Sequence, residues 1–143
     1  MQVTIWFDNI YNLQQGNSNK VSNLKRSICP ITNTLDLLGD KWTLLVIRDL
    51  FLGKCTYGDF QASPEGIPTN ILAERLKRLL ENNIIDKQAY QKRPVRYAYT
   101  LTEKGKALAP IVSEITKWGL KHIPGTKAVL VEEYCKKYKQ QPF

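Results

Sequence analysis

The feature that most constrains this chain is a run of apolar residues at helical spacing that starts at Leu72. At about 100° per residue, one stripe of this helix is formed by Leu72, Leu76, Leu79 and Leu80. The opposite face is polar and carries Asn70, Glu74, Lys77, Arg78 and Glu81. We therefore expect one face to pack on a core and the other to remain free.

The residues before this helix predict a shorter helix and a tight turn. Thr56 and Asp59 have the spacing of a capping box for a helix over residues 57–62. Residues 64–68, which contain two prolines and a glycine, favour a turn. Thr69 is then expected to be the N-cap of the longer helix, with its hydroxyl accepting a hydrogen bond from an amide of the first turn.

After the longer helix, the hydrophobic period changes to that of strands. Residues 84–90 and Val95–Leu101 predict two strands, joined by the basic tip Gln91-Lys92-Arg93-Pro94. A short helix, a turn, a longer helix and a hairpin make a winged helix-turn-helix. In this arrangement the longer helix can enter a major groove of DNA while the hairpin tip touches the neighbouring backbone or minor groove.

Two helices are predicted before this unit. Pro30, which follows Cys29, suits the first position of a short helix that ends at Gly39. Asp40 is expected to cap a second helix over residues 41–52, in which Trp42 is interpreted as a core residue.

Two more helices are predicted after the hairpin. Thr102 is expected to cap a helix over residues 103–122, with a kink at Pro110, and a last amphipathic segment covers residues 127–139. Apolar bands on such flanking helices indicate dimerisation, and the alternative is that they fold back on the core. The expected fold class is α+β and mostly helical, a winged helix-turn-helix with flanking dimerisation helices.

The charge of the chain is concentrated on the predicted reading surface. The 143 residues carry a net charge of +8, and the length and 43% hydrophobic content fit one soluble domain. Net charge alone is weak evidence for a polyanionic partner, but its placement strengthens the case. From Arg75 to Arg96 only Glu81 and Asp86 are acidic, against seven basic residues: Arg75, Lys77, Arg78, Lys87, Lys92, Arg93 and Arg96.

These residues define a candidate interface with double-stranded DNA. Asn70 and Lys77 are the best candidates for base contacts, and Glu74 for accepting from a cytosine amine. Contacts to phosphate or to a narrow minor groove are expected from the wing. The full candidate set is Thr69, Asn70, Glu74, Lys77, Arg78, Lys92, Arg93 and Arg96.

An enzyme, a metal site and a cofactor are not expected. His122 is the one histidine of the chain and has no acid or nucleophile placed beside it, so packing is the simpler reading. Cys29, Cys55 and Cys135 lack the spacing of zinc ligands. No signal peptide or long apolar run is present, so we expect a cytoplasmic protein with no membrane association.

Five spaced strings resemble the HxlR-type winged-helix transcriptional regulators, which are relatives of the MarR group. They are Cys29-Pro30-Ile31, residues 37–43, residues 57–60, residues 72–79 and residues 99–105. The resemblance covers residues 29–122 as a DNA-binding domain, with an N-terminal extension, 1–28, and a C-terminal helical extension, 123–143, outside it. It implies a dimeric DNA-binding regulator with the N-terminal helix and the long C-terminal helix at the dimer interface.

The resemblance also implies a role for Cys29, because some members of the family sense electrophiles or oxidants through a cysteine at the matching position. Local chemistry agrees, since a helix start with Lys25 and Arg26 upstream favours a thiolate. A buried structural cysteine is the alternative. The family does not name an effector, so the effector remains unknown.

A protein-interaction module that does not bind specific DNA sequences is the rival hypothesis for the whole chain. Such a module would be expected to have an apolar or acidic wing, whereas this wing tip is basic. An electrophoretic shift with competitor DNA at raised salt would separate the two hypotheses.

Overall fold

The structure, a computed structural model, describes residues 27–128. Residues 129–139 of the predicted amphipathic segment 127–139, and nearly all of the extension 1–28, therefore lie outside the described residues. The chain divides into two units, residues 1–37 and residues 38–143. Residues 27–37 are the described part of the first unit. They contain most of α1, Pro30–Leu38, and the last residue of this helix belongs to the second unit. Pro30 opens this helix as expected, and the Cys29 carbonyl accepts a hydrogen bond from the Asn33 amide.

The second helix, α2, spans Thr43–Phe51, slightly less than the expected 41–52. The N-cap position of α2 is Trp42 and not the expected Asp40. Asp40 nevertheless satisfies the start of the helix, because its Oδ1 accepts from the amides of Trp42 and Thr43 at 2.9 and 3.0 Å. Trp42 is half-buried rather than a full core residue, and the Lys41 ammonium lies 4.9 Å from its ring centroid. Val46, Ile47 and Leu50 of α2 are buried.

The helix-turn-helix consists of α3, Tyr57–Gln61, and α4, Thr69–Glu81. The capping box of α3 is confirmed, since the Thr56 hydroxyl accepts from the Asp59 amide and the Asp59 carboxylate accepts from the Thr56 amide. The prediction that Thr69 caps α4 is wrong. Pro68 holds the N-cap position in extended conformation, and Thr69 is already helical. Because the proline side chain has no hydrogen-bond acceptor, α4 starts without a side-chain cap.

The core of the second unit forms where α4 meets α2, α3 and the hairpin. The predicted leucine stripe is confirmed for three of its four residues, while Leu80 is half-buried. Phe60 from α3 is 1% exposed. Buried apolar side chains of α4 and the hairpin complete the core: Leu72, Leu76, Leu79, Ile84, Ile85 and Ala98.

The wing is a two-stranded antiparallel sheet of β1, Ile85–Lys92, and β2, Val95–Leu101. Residue 83 turns the chain from α4 into β1 with a left-handed φ of 55°, which asparagine tolerates. The wing is fastened to the helix-turn-helix at its base. There the Tyr99 amide donates to the Cys55 carbonyl at 2.7 Å, and Thr56 forms a β-bridge with Ala98.

The expected single helix over residues 103–122 is wrong: the chain forms two helices, α5, Glu103–Lys106, and α6, Ala109–His122. Pro110 lies in the first turn of α6, where its missing amide costs nothing, so the helix breaks instead of kinking. Thr102 caps α5 as predicted, accepting from the Gly105 amide. Gly105 also permits close packing on the wing, because a Cβ there would lie 2.2 Å from the Ile84 carbonyl oxygen.

No helix within residues 27–128 is long and apolar enough to cross a bilayer.

Candidate nucleic-acid interface

The outward face of α4 carries most of the predicted helix candidates. Asn70, Glu74 and Lys77 are exposed, on the side of the helix opposite the buried leucines. The Lys77 side chain is 76% exposed, and its Nζ lies 3.8 Å from the Glu81 carboxylate. Such a long pair between exposed groups is weak, so the ammonium is available to another acceptor.

The structure places other basic and polar residues of α4 away from the centre of this face. Arg78 is half-buried, and Thr69 is exposed at the start of the helix. Arg75, which we counted in the basic excess, does not belong to the reading surface. Its side chain is 13% exposed, and its Nε donates to Asp40 Oδ1 at 2.9 Å.

Asp40 therefore connects the start of α2 to the middle of α4. Its pKa is lowered: burial raises it, but hydrogen bonds from Thr43 and Trp42 and the charge of Arg75 outweigh burial. The carboxylate stays ionised at neutral pH and remains a partner for the guanidinium. The wheel position of Arg75, beside Leu79 on the edge of the leucine stripe, was a signal that it turns inward.

A second connection joins the end of α2 to the turn before α4. Arg48 donates to both carboxylate oxygens of Glu65, at 2.6 and 3.0 Å. This two-pronged contact lowers the pKa of Glu65, mainly through the hydrogen bond from Arg48. Bidentate guanidinium–carboxylate pairs fix geometry as well as charge.

Beside this pair lies a buried cluster of Asp49, Lys54 and Ser63. The Lys54 ammonium lies 3.0 Å from Asp49 Oδ2 and 2.6 Å from the Ser63 hydroxyl, which itself donates to Asp49. Lys54 and Asp49 are each 2% exposed. Sequence reasoning did not find this cluster, because its members are separated along the chain and only the fold brings them together.

The predicted wing residues Lys92, Arg93 and Arg96 are all exposed. Arg93 lies at the connection between the strands, where its carbonyl accepts from Gln91 Nε2 at 3.2 Å, and Arg96 pairs with Gln91 across the ladder. The three cations thus project from the tip of the hairpin.

Two further contacts were missed by sequence reasoning. The Lys87 ammonium lies 4.6 Å from the ring centroid of Tyr97, so both are held together on the surface of the wing. The Tyr57 hydroxyl donates to the Thr69 carbonyl at 2.6 Å and joins α3 to the first residue of α4. Alternation along β2 groups Tyr97 with the apolar Val95 and Tyr99, so the sequence did not indicate its exposure. No local pattern signals the contact of Tyr57.

Cys29 lies exposed at the residue before α1. Hydrogen bonds lower its pKa, first from the Thr32 amide, then from the Thr32 hydroxyl and the Ile31 amide. Burial and the nearby charge of Asp59 raise the pKa of Cys55. Of these two thiols, Cys29 therefore has the greater thiolate fraction at neutral pH. Cys135 lies outside the described residues.

The ring centroid of His122 lies 5.1 Å from that of Trp118 on the surface of α6. Within residues 27–128, no group of three or more histidine, cysteine or acidic side chains is placed to hold a metal ion.

The α6 helix presents an exposed apolar stripe. Ile111, Ile115 and Trp118 are 41, 52 and 60% exposed, and their spacing of four and three residues places them on one side of the helix. Large apolar side chains grouped in this way mark an interaction surface.

Comparison with known proteins gives the family. Residues 37–127 match the model of the HxlR-like helix-turn-helix family. The HTH-type transcriptional regulator YvaP of Bacillus subtilis is 35% identical over 97 residues, which cover 67% of this chain and 90% of YvaP.

Solved structures of transcriptional regulators have the same fold. The reduced form of YodB from Bacillus subtilis is similar with a TM-score of 0.57 and 33% identity, over 71% of this chain and 100% of YodB. The redox regulator HypR in its oxidised form has a TM-score of 0.60 and 30% identity, over 71% of this chain and 100% of HypR. The family and these relatives are transcriptional regulators and not enzymes. The chain therefore belongs to the HxlR-like helix-turn-helix family of transcriptional regulators.

Proposed function

We propose that this regulator acts in the cytoplasm as a homodimer and binds a specific inverted-repeat operator in double-stranded DNA. The observation that carries the proposal is the outward face of α4, where Asn70, Glu74 and Lys77 are exposed opposite a buried leucine stripe. An exposed helix face with amide, acidic and ammonium groups has the hydrogen-bonding capacity to read base edges in a major groove.

The two halves of the interface have different tasks. Asn70 and Lys77 contact bases, with Glu74 accepting from a cytosine amine, and Thr69 and Arg78 lie at the edges of the same helix. The wing cations Lys92, Arg93 and Arg96 contact phosphate or a narrow minor groove, because they project from a hairpin tip.

Dimerisation is supported by the stripe of Ile111, Ile115 and Trp118 on α6. A single reading helix covers only a few base pairs, and two-fold pairing doubles the contacts and matches an inverted repeat. The N-terminal helix α1 joins this interface in the family arrangement, and we propose the same here.

Cys29 is the proposed site through which oxidants or electrophiles act on DNA binding. The support is its exposure and the hydrogen bonds that lower its pKa. HypR is described as a redox regulator, and YodB has been solved after diamide treatment; these descriptions concern those proteins. Diamide would take two electrons and two protons from a pair of thiols, joining Cys29 to Cys55 or Cys135 within or between subunits.

The first prediction concerns assembly. A nuclease footprint should cover two half-sites about 10 base pairs apart, or a multiple of that, centre to centre. Trp118→Glu should make the protein monomeric in sedimentation and weaken operator binding, because a charge replaces an apolar contact. Ser113→Glu, on another side of α6, is the matched control and should leave the dimer intact. A monomeric wild type that protects a single half-site would contradict dimerisation.

The second prediction separates base contacts from phosphate contacts. Lys92→Ala should weaken binding to all sequences alike and reduce the slope of log affinity against log salt by about one. Asn70→Ala should cost about 1–3 kcal/mol on the operator and relax the preference at one base position. Fluorescence anisotropy on operator and scrambled duplexes measures both, with Lys117→Ala on α6 as the control. Sequence preference altered by the wing variant alone would mean that the roles are reversed.

The third prediction tests Cys29. Diamide, a quinone or an aldehyde should change operator binding by the wild type but not by Cys29→Ser. The quinone and the aldehyde, which react with a single thiol, should still act on Cys55→Ser. Because the pKa of Cys29 is lowered, its thiolate forms at a lower pH than that of an ordinary thiol. Its alkylation rate should therefore increase at a lower pH as well. Mass spectrometry of the adduct identifies the residue and any disulfide partner. Equal responses of wild type and Cys29→Ser would rule out the sensor role.

A protein-interaction module remains the second candidate, supported by the exposed apolar stripe of α6. Retention of operator DNA against excess competitor at raised salt favours the regulator, and its loss favours the module.

A further inference from the structure

An apolar groove of about 390 Å³ lies between α2 and α6, on the second unit. We call it the α2–α6 groove. Its apolar lining comes from Leu44, Leu45 and Phe51 of α2 and from Val112, Ile115 and Leu120 of α6. Gly119 also lines it, and a Cβ at that position would meet no atom within 4 Å, so the groove is open above this residue.

The described chain ends at this groove. After α6 the chain reverses through Gly125, whose φ is +82°. The Thr126 hydroxyl fastens the reversal by hydrogen bonds to the carbonyls of Gly119 and Ile123, at 3.1 and 2.9 Å. Thr126, Lys127 and Ala128 then line the groove themselves, so the following residues start at its edge.

The residues that follow have the pattern of a helix that would fit such a groove. Over residues 127–139, the apolar side of the predicted amphipathic helix is formed by Leu130, Val131, Tyr134, Cys135 and Tyr138. At about 1.5 Å per residue, a helix over residues 129–139 would be roughly 16 Å long, about three quarters of the length of the 14-residue α6. The segment lies beyond the family match, which ends at residue 127.

We propose that residues 129–139 fold back as a helix onto their own chain and fill the α2–α6 groove with this apolar side. Attachment at Ala128 favours the segment of the same chain over that of a second copy, because a short link gives an effective concentration in the millimolar range. Ile115 borders both the groove and the proposed dimer stripe, whereas Ile111 and Trp118 are absent from the groove lining. The docking therefore leaves two of the three stripe residues exposed for a partner subunit.

The test is paramagnetic relaxation in the full chain. A nitroxide is attached at Lys136→Cys, on the polar side of the segment, in a background with Cys29→Ser, Cys55→Ser and Cys135→Ser. Methyl signals of Leu44, Leu45 and Val112 should lose most of their intensity and recover when the nitroxide is reduced. Unchanged intensities would overturn the proposal.

Two controls make the result specific. Gly119→Phe would place a ring in the groove and should abolish the broadening, whereas Ser113→Phe, outside the groove on the same helix, should preserve it. Thermal unfolding by circular dichroism verifies that both variants fold. In a mixture of nitroxide-labelled chains with isotope-labelled chains that lack nitroxide, no broadening is expected. Broadening in that mixture at the intensity seen within one chain would show that a second copy fills the groove, and the proposal would be wrong.

Discussion

The buried ion pair of Asp49 and Lys54 is the interaction on which the geometry of the helix-turn-helix depends. Both side chains are 2% exposed, and Ser63 joins them from the segment before α4. Replacing a buried pair of this kind by apolar residues is often neutral or stabilising, so stability is a poor explanation for its presence. The pair instead favours one arrangement of the backbone, because the two buried charges satisfy each other only when their side chains meet at a fixed distance and orientation.

Two further charged contacts also restrict the position of α4. Arg48 of α2 holds Glu65 in the turn before α4, and Asp40, which precedes α2, holds Arg75 in the middle of α4. The buried leucines set the rotation of α4 about its axis, and the charged contacts limit its tilt. The consequence is that Asn70 and Lys77 project from a rigid face, which the proposed base contacts would require.

Local signals predicted the elements, and non-local contacts explain what was missed. Three predicted features depend only on neighbours within a few residues and could be identified from the sequence. They are the leucine stripe, the capping box at Thr56 and the strand Val95–Leu101. Arg75 was placed on the reading surface because charge is normally solvated. Its partner Asp40 is 35 residues away, and no periodicity reports such a pair. The helix break before Pro110 is a local effect. A kink was predicted there, but proline is better suited to the start of a helix.

The orientation of α4 by buried charge is tested most directly by a double-mutant cycle at Asp49 and Lys54. Asp49→Leu alone should cost about 3–5 kcal/mol of unfolding free energy, because Lys54 loses its buried carboxylate partner and Arg48 loses one of its two. Asp49→Leu with Lys54→Met should recover much of that stability, because the buried ammonium is removed and Arg48 keeps Glu65. DNA-binding specificity should nevertheless fall in the double variant. It is measured as the ratio of the affinity for the tightest duplex selected from random DNA to the affinity for non-specific DNA, and this ratio should decrease by about tenfold, or 1.4 kcal/mol. A double variant with wild-type stability and an unchanged affinity ratio would show that the buried pair is not needed to orient α4.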